Sequence, residues 1–240
     1  MTNVGFEFEF TSKFLEGDLC AKLAEYGILV KRSRGYKDWA IDYDGSVEPR
    51  HRRSYHHTYE LVSPPMPIDQ ALKTLGVVFK FMQENPVETN TTTGLHVNMD
   101  IGRETKFIDP LKLITLVDDE AVARRYKRSK LHFCLPHNST IRKQARYYNN
   151  LKNKPCSLVD YVKQWGFTKG QLEEKFSAIN FGKQKKQGFI EFRMIGNRNY
   201  QNRYKEIAKD IRHFETCMFK AADKTSGNKA VVRRLNKMAA

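Results

Sequence analysis

Polar residues that could do chemistry recur at every second position in three short stretches of this chain. Glu7 and Glu9 lie in GFEFEF, His96, Asn98 and Asp100 in GLHVNMD, and Glu191 and Arg193 in FIEFRMI. Side chains along a β-strand alternate between faces. Each stretch therefore predicts a strand with these groups on one face and Phe6, Phe8, Val97, Met99, Ile190, Phe192 or Met194 on the other. A solvated sheet face ordinarily mixes Thr, Lys and Glu, so repeated short acids with one His and one Arg point to a site. With Asp44 and Glu60, the candidate carboxylates are Glu7, Glu9, Asp44, Glu60, Asp100 and Glu191, opposed within these motifs only by His96 and Arg193. Gathered on one concave face they would repel one another and be driven toward protonation, which one or two divalent cations would relieve. Oxygen-rich ligation with one imidazole favours Mg²⁺ or Mn²⁺ over zinc. A hard cation held by acids suits phosphate chemistry.

The elements that must position these groups follow from periodicity. Leu15, Leu19 and Leu23 recur every fourth residue and predict an amphipathic helix stopped at Gly27; the strand-like ILVK follows. Trp39, Ile41 and Tyr43 alternate with Asp42, Asp44 and Ser46, a second strand running into a turn, and RHRRSYHH reads as a basic hairpin tip or loop. A strand through Tyr59–Val62 is closed by SPPMP, because proline cannot donate to a ladder. Ile68, Leu72, Leu75, Val78, Phe79 and Met82 set a helix over 68–84. Further helices are expected over 109–125, near 157–165 and 168–176, and over 200–222, with a frayed tail behind them. Strands and helices mix without strict alternation. The fold class is therefore α+β: a single domain over 1–222 with a mainly antiparallel sheet flanked by helices, a basic insert at about 121–159, and a basic, flexible tail over 223–240.

At 240 residues the chain is long enough to bury a sizeable core. No apolar run reaches the ~20 residues of a membrane span, and the opening MTNVGFEFEF lacks the features of a signal peptide, so a cytoplasmic protein with no membrane partner is expected. Cys20, Cys134, Cys156 and Cys217 form no CxxC pair and read as reduced thiols. The net charge is +15. From Ala121 to Val159 there is no Asp or Glu, while Arg124, Arg125, Lys127, Arg128, Lys130, Arg142, Lys143, Arg146, Lys152 and Lys154 stand among Tyr126, Phe133, Tyr147 and Tyr148. Such a block suits a polyanion, or simply a solvated basic face.

Five motifs, in order, carry a family resemblance: GFEFEF, WAIDYDGSV (Trp39 to Val47), YELVSP (Tyr59 to Pro64), GLHVNMD and GFIEFRM (Gly188 to Met194). Together they resemble the amidoligase family of bacteria and their phages, compact relatives of glutamate-cysteine ligase and glutamine synthetase. The resemblance covers roughly residues 4–215. It implies a curved, glutamine synthetase/glutamate-cysteine ligase-like sheet as the floor of an ATP-dependent carboxylate-amine ligase, working through an acyl phosphate at a multi-Mg site in the cytoplasm of a bacterium or a phage-infected host cell. Carried over position by position, Glu7, Glu9, Asp44, Glu60, His96 and Glu191 look like the ligands of Mg²⁺ (or Mn²⁺) shared with ATP. Arg193, with Glu191 and Glu9, looks like the catalytic set, Arg193 meeting the transferred phosphoryl. In the ATP-binding set with Arg193, Ser46 would be a neighbouring orienting group and Asn98 would steer a phosphate or water; many relatives carry a second His where this chain has Asn98. The implied partners are ATP and an unidentified carboxylate and amine, including a peptide or nucleic-acid-linked acceptor.

Amide formation needs a carboxylate activated by phosphoryl transfer, which positioning and charge neutralisation accomplish without a Ser, Cys or Lys nucleophile. The chain has no GxxxxGK[ST] or GxGxxG loop, so metals and dispersed basic residues would have to grip any nucleotide. Two other readings stay open at this point. Paired acids beside a basic groove also describe a metal-dependent nuclease or phosphodiesterase. A basic nucleic-acid-binding protein on a ligase-like fold would place its function in Arg124 to Lys154.

Overall fold

A computed structural model of the chain describes residues 1–31, 37–48, 57–128, 134–137 and 176–239. These fall into two compact units, Met1–Met99 with Ile195–Ile211, and Asp100–Met194 with Arg212–Ala240. The architecture is mixed helix and sheet, and every strand register between β1 and β3, β4 or β5, between β2 and β3, and between β7 and β8 is antiparallel.

The first unit is organised by β1 (Asn3–Ser12). It lies between β3 (His57–Val62) and β6 (Gly94–Asp100), with β2 (Ala40–Tyr43) outside β3. Short β4 (Met66–Pro67) and β5 (Val87–Glu88) pair with its two ends. Its even-numbered side chains, Val4, Phe6, Phe8 and Phe10, are all fully buried. Helix α2 (Ile68–Glu84) supplies Leu75, Val78, Phe79 and Met82 to the same core, and Phe79 meets Phe8 edge-on with ring centroids 6.3 Å apart. Each such Phe stabilises the fold by roughly 1.5–3 kcal/mol. Helix α1 (Glu16–Glu25) buries Leu19 and Leu23 and ends at Gly27, whose φ of +77° favours glycine. Leu15, the third member of that predicted stripe, precedes the helix and is 61% exposed.

In the second unit, the helix expected over 109–125 is two helices, α3 (Pro110–Val117) and α4 (Asp119–Arg125). Asp118 separates them with φ 59°, a left-handed conformation that Asp tolerates better than most residues. Its backbone N–H closes α3 on Ile114 O at 3.1 Å, and its carboxylate accepts from Ala121 N at 3.3 Å to cap α4. Strand β7 (Ile179–Asn180), helix α5 (Gly182–Gln187) and β8 (Ile190–Gly196) follow, then α6 (Tyr204–Ala222), whose residues from Arg212 onward belong to this unit. Phe192 and Phe214 stack with centroids 4.4 Å apart.

Residues Asn228–Ala239 form helix α7, which packs on α3 with Val231 and Leu235 fully buried and Arg234 ion-paired to Asp118. Its apolar residues recur at helical spacing, a signal too short to separate a docked helix from a loose one without α3 in view. Most of the acid-free basic block, the predicted helix near 157–165 and nearly all of that near 168–176 lie outside the described residues. Among the described residues, no helix is long and apolar enough to cross a membrane.

If α7 is part of the core, Leu235→Ala should cost about 2–4 kcal/mol and lower Tm by roughly 5–12 °C. Thermal denaturation followed by circular dichroism measures this; an unchanged Tm would mean that the tail adds nothing to the fold.

Candidate active site

The register of β1 against β3 places Glu9 opposite Glu60, and that of β2 against β3 places Asp42 opposite the same Glu60. Residues directly opposed across antiparallel strands share a face. The three acids therefore form one row, with Glu7 two residues along β1 on the same side. Opposed like charges destabilise a sheet, and here the opposite parity is fixed by the Phe core.

On this face β6 contributes His96, which is 2% exposed. Its Nδ1 stands 3.1 Å from Glu7 Oε2 and its Nε2 3.2 Å from Glu9 Oε1. A neutral imidazole carries one N–H, so in that form one ring nitrogen faces a carboxylate with its lone pair. Glu7 Oε1 accepts from Asn98 Nδ2 at 2.7 Å, and Glu9 Oε2 from the Gly94 backbone N–H at 2.5 Å. Asp44 follows β2, its Oδ1 accepting from Ser46 N at 2.8 Å and Ser46 Oγ at 2.7 Å. Ser46, expected as a neighbouring orienting group, thus holds Asp44, and Asn98, expected to steer phosphate or water, donates to Glu7.

Two groups of potential ligand atoms converge to within 4.8 Å: Glu7, Glu60 and His96, and Glu9, Asp44 and Glu60. Glu60 belongs to both. Burial, then repulsion from Glu7, Glu9 and Asp44 with His96 opposing, pushes its carboxyl from its ordinary 4.5 up to about 7. Two polar atoms beside the acids, Thr58 Oγ1 and Asn98 Oδ1, are screened from solvent and have no hydrogen-bond partner among the described residues. Crowded carboxylates, an imidazole between two of them and orphaned oxygens form a donor set that fits hard divalent cations.

Glu191 and Arg193 lie on β8 in the second unit. The fully buried Glu191 carboxylate accepts from Asn180 Nδ2 at 2.8 Å, Lys183 Nζ at 3.1 Å and Arg193 NH1 at 2.9 Å. Its charge is met inside that unit. Asp100 is spent on the turn after β6, accepting from Gly102 N and Thr105 Oγ1, both at 2.7 Å. Cys134 and Cys217 are free thiols, and burial pushes Cys134 up to about 11 and Cys217 to about 12, so neither is a ready thiolate at neutral pH.

Sequence reasoning left Asp42 and Thr58 out of the site, although both follow from alternation, Asp42 two residues before Asp44 and Thr58 two before Glu60. Asn180 and Lys183 carried no such signal. Their relation to Glu191 exists only through the Asn180–Glu191 register of β7 with β8 and the turn of α5.

Compared with known proteins, residues 1–203 match the model of a family described as "Putative amidoligase enzyme". A search of curated proteins found no match.

The acid row makes a prediction for the metal-free protein. A carboxyl whose folded pKa exceeds its unfolded value holds its proton more tightly when folded, so stability is greatest below about 4.5 and falls as pH rises through about 7. Glu60→Gln should remove that penalty and raise Tm at pH 8 in EDTA by roughly 5 °C or more, with little change at pH 4.5. Saturating Mg²⁺ should stabilise the parent more at pH 8 than at pH 5. Denaturation at these pH values tests this, and a Glu60→Gln Tm below the parent's at pH 8 would show that the row is not electrostatically strained.

Proposed function

This chain belongs to the amidoligase family, and from that premise we propose that it is an ATP-dependent carboxylate-amine ligase whose acid face holds two divalent cations sharing Glu60. The observation that carries the reading is the double convergence on Glu60, with Glu7 and His96 on one side and Glu9 and Asp44 on the other. A protein with no use for cations has no reason to keep Glu60 where its ionisation is opposed by three other acids. When bound, Mg²⁺ or Mn²⁺ would neutralise the oxygens of a triphosphate and hold the γ-phosphoryl for in-line transfer to a carboxylate.

The chain's own groups have separable tasks in this scheme. Glu7, Glu9, Asp44, Glu60 and His96 supply ligand atoms. Asn98 and Gly94 fix the rotamers of Glu7 and Glu9 by hydrogen bonds of 2.7 and 2.5 Å, and Ser46 does the same for Asp44. The phosphorylated carboxylate would then be attacked by the amine and expel phosphate, so no covalent link to the protein is required. Arg193 is the candidate for the charge that develops on the phosphoryl group. Glu191 is its buried counter-ion, which fixes the guanidinium plane.

Release of ADP and phosphate from Mg·ATP, measured across a panel of amino acids, polyamines, peptides and nucleic acids, tests the proposal. Phosphate release that requires both a carboxylate and an amine is expected. Release requiring neither, or phosphodiester cleavage without ATP, would overturn it in favour of hydrolysis.

Two substitutions refine the assignment. Glu7→Gln and Glu9→Gln should each reduce turnover by at least 100-fold and leave Tm within a few degrees of the parent. Full activity in both would remove the metal role. Arg193→Lys replaces a planar fork with a point charge, so kcat should fall by more than KM for ATP rises. A change confined to KM would reassign Arg193 to ground-state nucleotide binding.

A further inference from the structure

The outward face of α7 carries a row of cations that neither the acid site nor the core uses. Lys229, Arg233 and Lys237 recur every fourth residue and are all exposed, while Val231 and Leu235 are buried. At a rise of 1.5 Å per residue, successive members stand about 6 Å apart along the helix axis. The neighbouring Arg234 is different in kind, because Asp118 engages it at the junction of α3 and α4. No Asp or Glu occurs from Lys224 to the end of the chain. The row therefore has no acid within its own segment to neutralise it, on a protein already carrying a net charge of +15.

We propose that this face of α7 binds the phosphate backbone of a nucleic acid without regard to sequence. Evenly spaced Lys and Arg side chains meet a regular line of phosphates and release its condensed counterions, the source of non-specific affinity. A membrane surface fits less well. A basic amphipathic helix lies on lipid by inserting its apolar face, and here that face is taken by the protein's own core. An acidic protein partner would call for a large apolar anchor among the charges, and between Lys229 and Arg233 stand only the exposed Ala230, the buried Val231 and the half-buried Val232. The inference does not rest on the ligase reading, since the row is on a helix that contributes no residue to the acid face.

The test uses the full-length chain in EDTA without ATP, so that cation and nucleotide binding at the acid face play no part. Labelled mixed-sequence duplex and single-stranded oligonucleotides are titrated at several salt concentrations, for the parent, for Lys229→Gln, Arg233→Gln and Lys237→Gln singly, and for the triple variant. With a slope of log K against log salt of about −0.9 per neutralised phosphate on duplex DNA, each single variant should flatten the slope by about 1 and the triple by about 2–3. These side chains are exposed, so Tm should not move; if the triple variant fails to fold, the single variants carry the test. Slopes unchanged by the substitutions, or a parent that binds no oligonucleotide, would overturn the proposal. So would a parent that binds vesicles of anionic phospholipid more tightly than oligonucleotides, with the same three side chains responsible.

Discussion

Mutual repulsion among carboxylates, held in place by strand register, is the constraint on which the first unit depends. Glu9 and Asp42 both face Glu60 across antiparallel pairs, and Glu7 lies on the same side. Left to itself such a row would slide or splay. It cannot slide, because a one-residue slip of β1 would turn Phe6, Phe8 and Phe10 to solvent and the glutamates into the core. Several buried aromatic side chains outweigh one raised carboxyl pKa, so hydrophobic packing wins and the electrostatic strain persists.

Local hydrogen bonds then convert a strained row into a defined one. Gly94 N–H, Asn98 Nδ2 and Ser46 hold Glu9, Glu7 and Asp44 in single orientations, and His96 stands between two of the acids. Behind β1, Tyr200 packs against Phe79 and donates its hydroxyl to Glu9 O at 3.0 Å, fixing the backbone that carries the acid. Ligand atoms set in advance lose little conformational freedom when a cation arrives, and relief of repulsion adds to the driving force.

The second unit solves the problem of buried charge in the opposite way. Glu191 is as buried as any acid among the described residues, yet Asn180, Lys183 and Arg193 donate to it, the last two cationic. Asp119 likewise accepts from the His137 backbone N–H at 2.5 Å, and the buried Lys112 ammonium donates to Asp223 O at 2.5 Å. Here charges are satisfied from within, which favours a single rigid arrangement over readiness for a ligand.

The alternation of Phe and Glu in the first strand was enough by itself to determine which residues face the core and which face the site, because period-two patterning leaves one buried parity. The stripe from Ile68 to Met82 likewise set α2 with its bounds, Ile68–Glu84. The five ordered motifs identified the family that the comparison of residues 1–203 bears out. Other features were not legible because they are properties of pairs. That Asp42 joins Glu9 and Glu60 depends on strand register, and that Asp100 is consumed by a turn depends on the chain path after β6. That Asn180 and Lys183 reach Glu191 depends on β7 lying beside β8. The tail's fate depended on whether α3 offered Val231 and Leu235 a surface, and the break at Asp118 on one backbone angle. Local sequence sets the periodicity of each element, whereas the partner of each charged group is chosen by contacts between residues distant in the chain, which only the tertiary structure fixes.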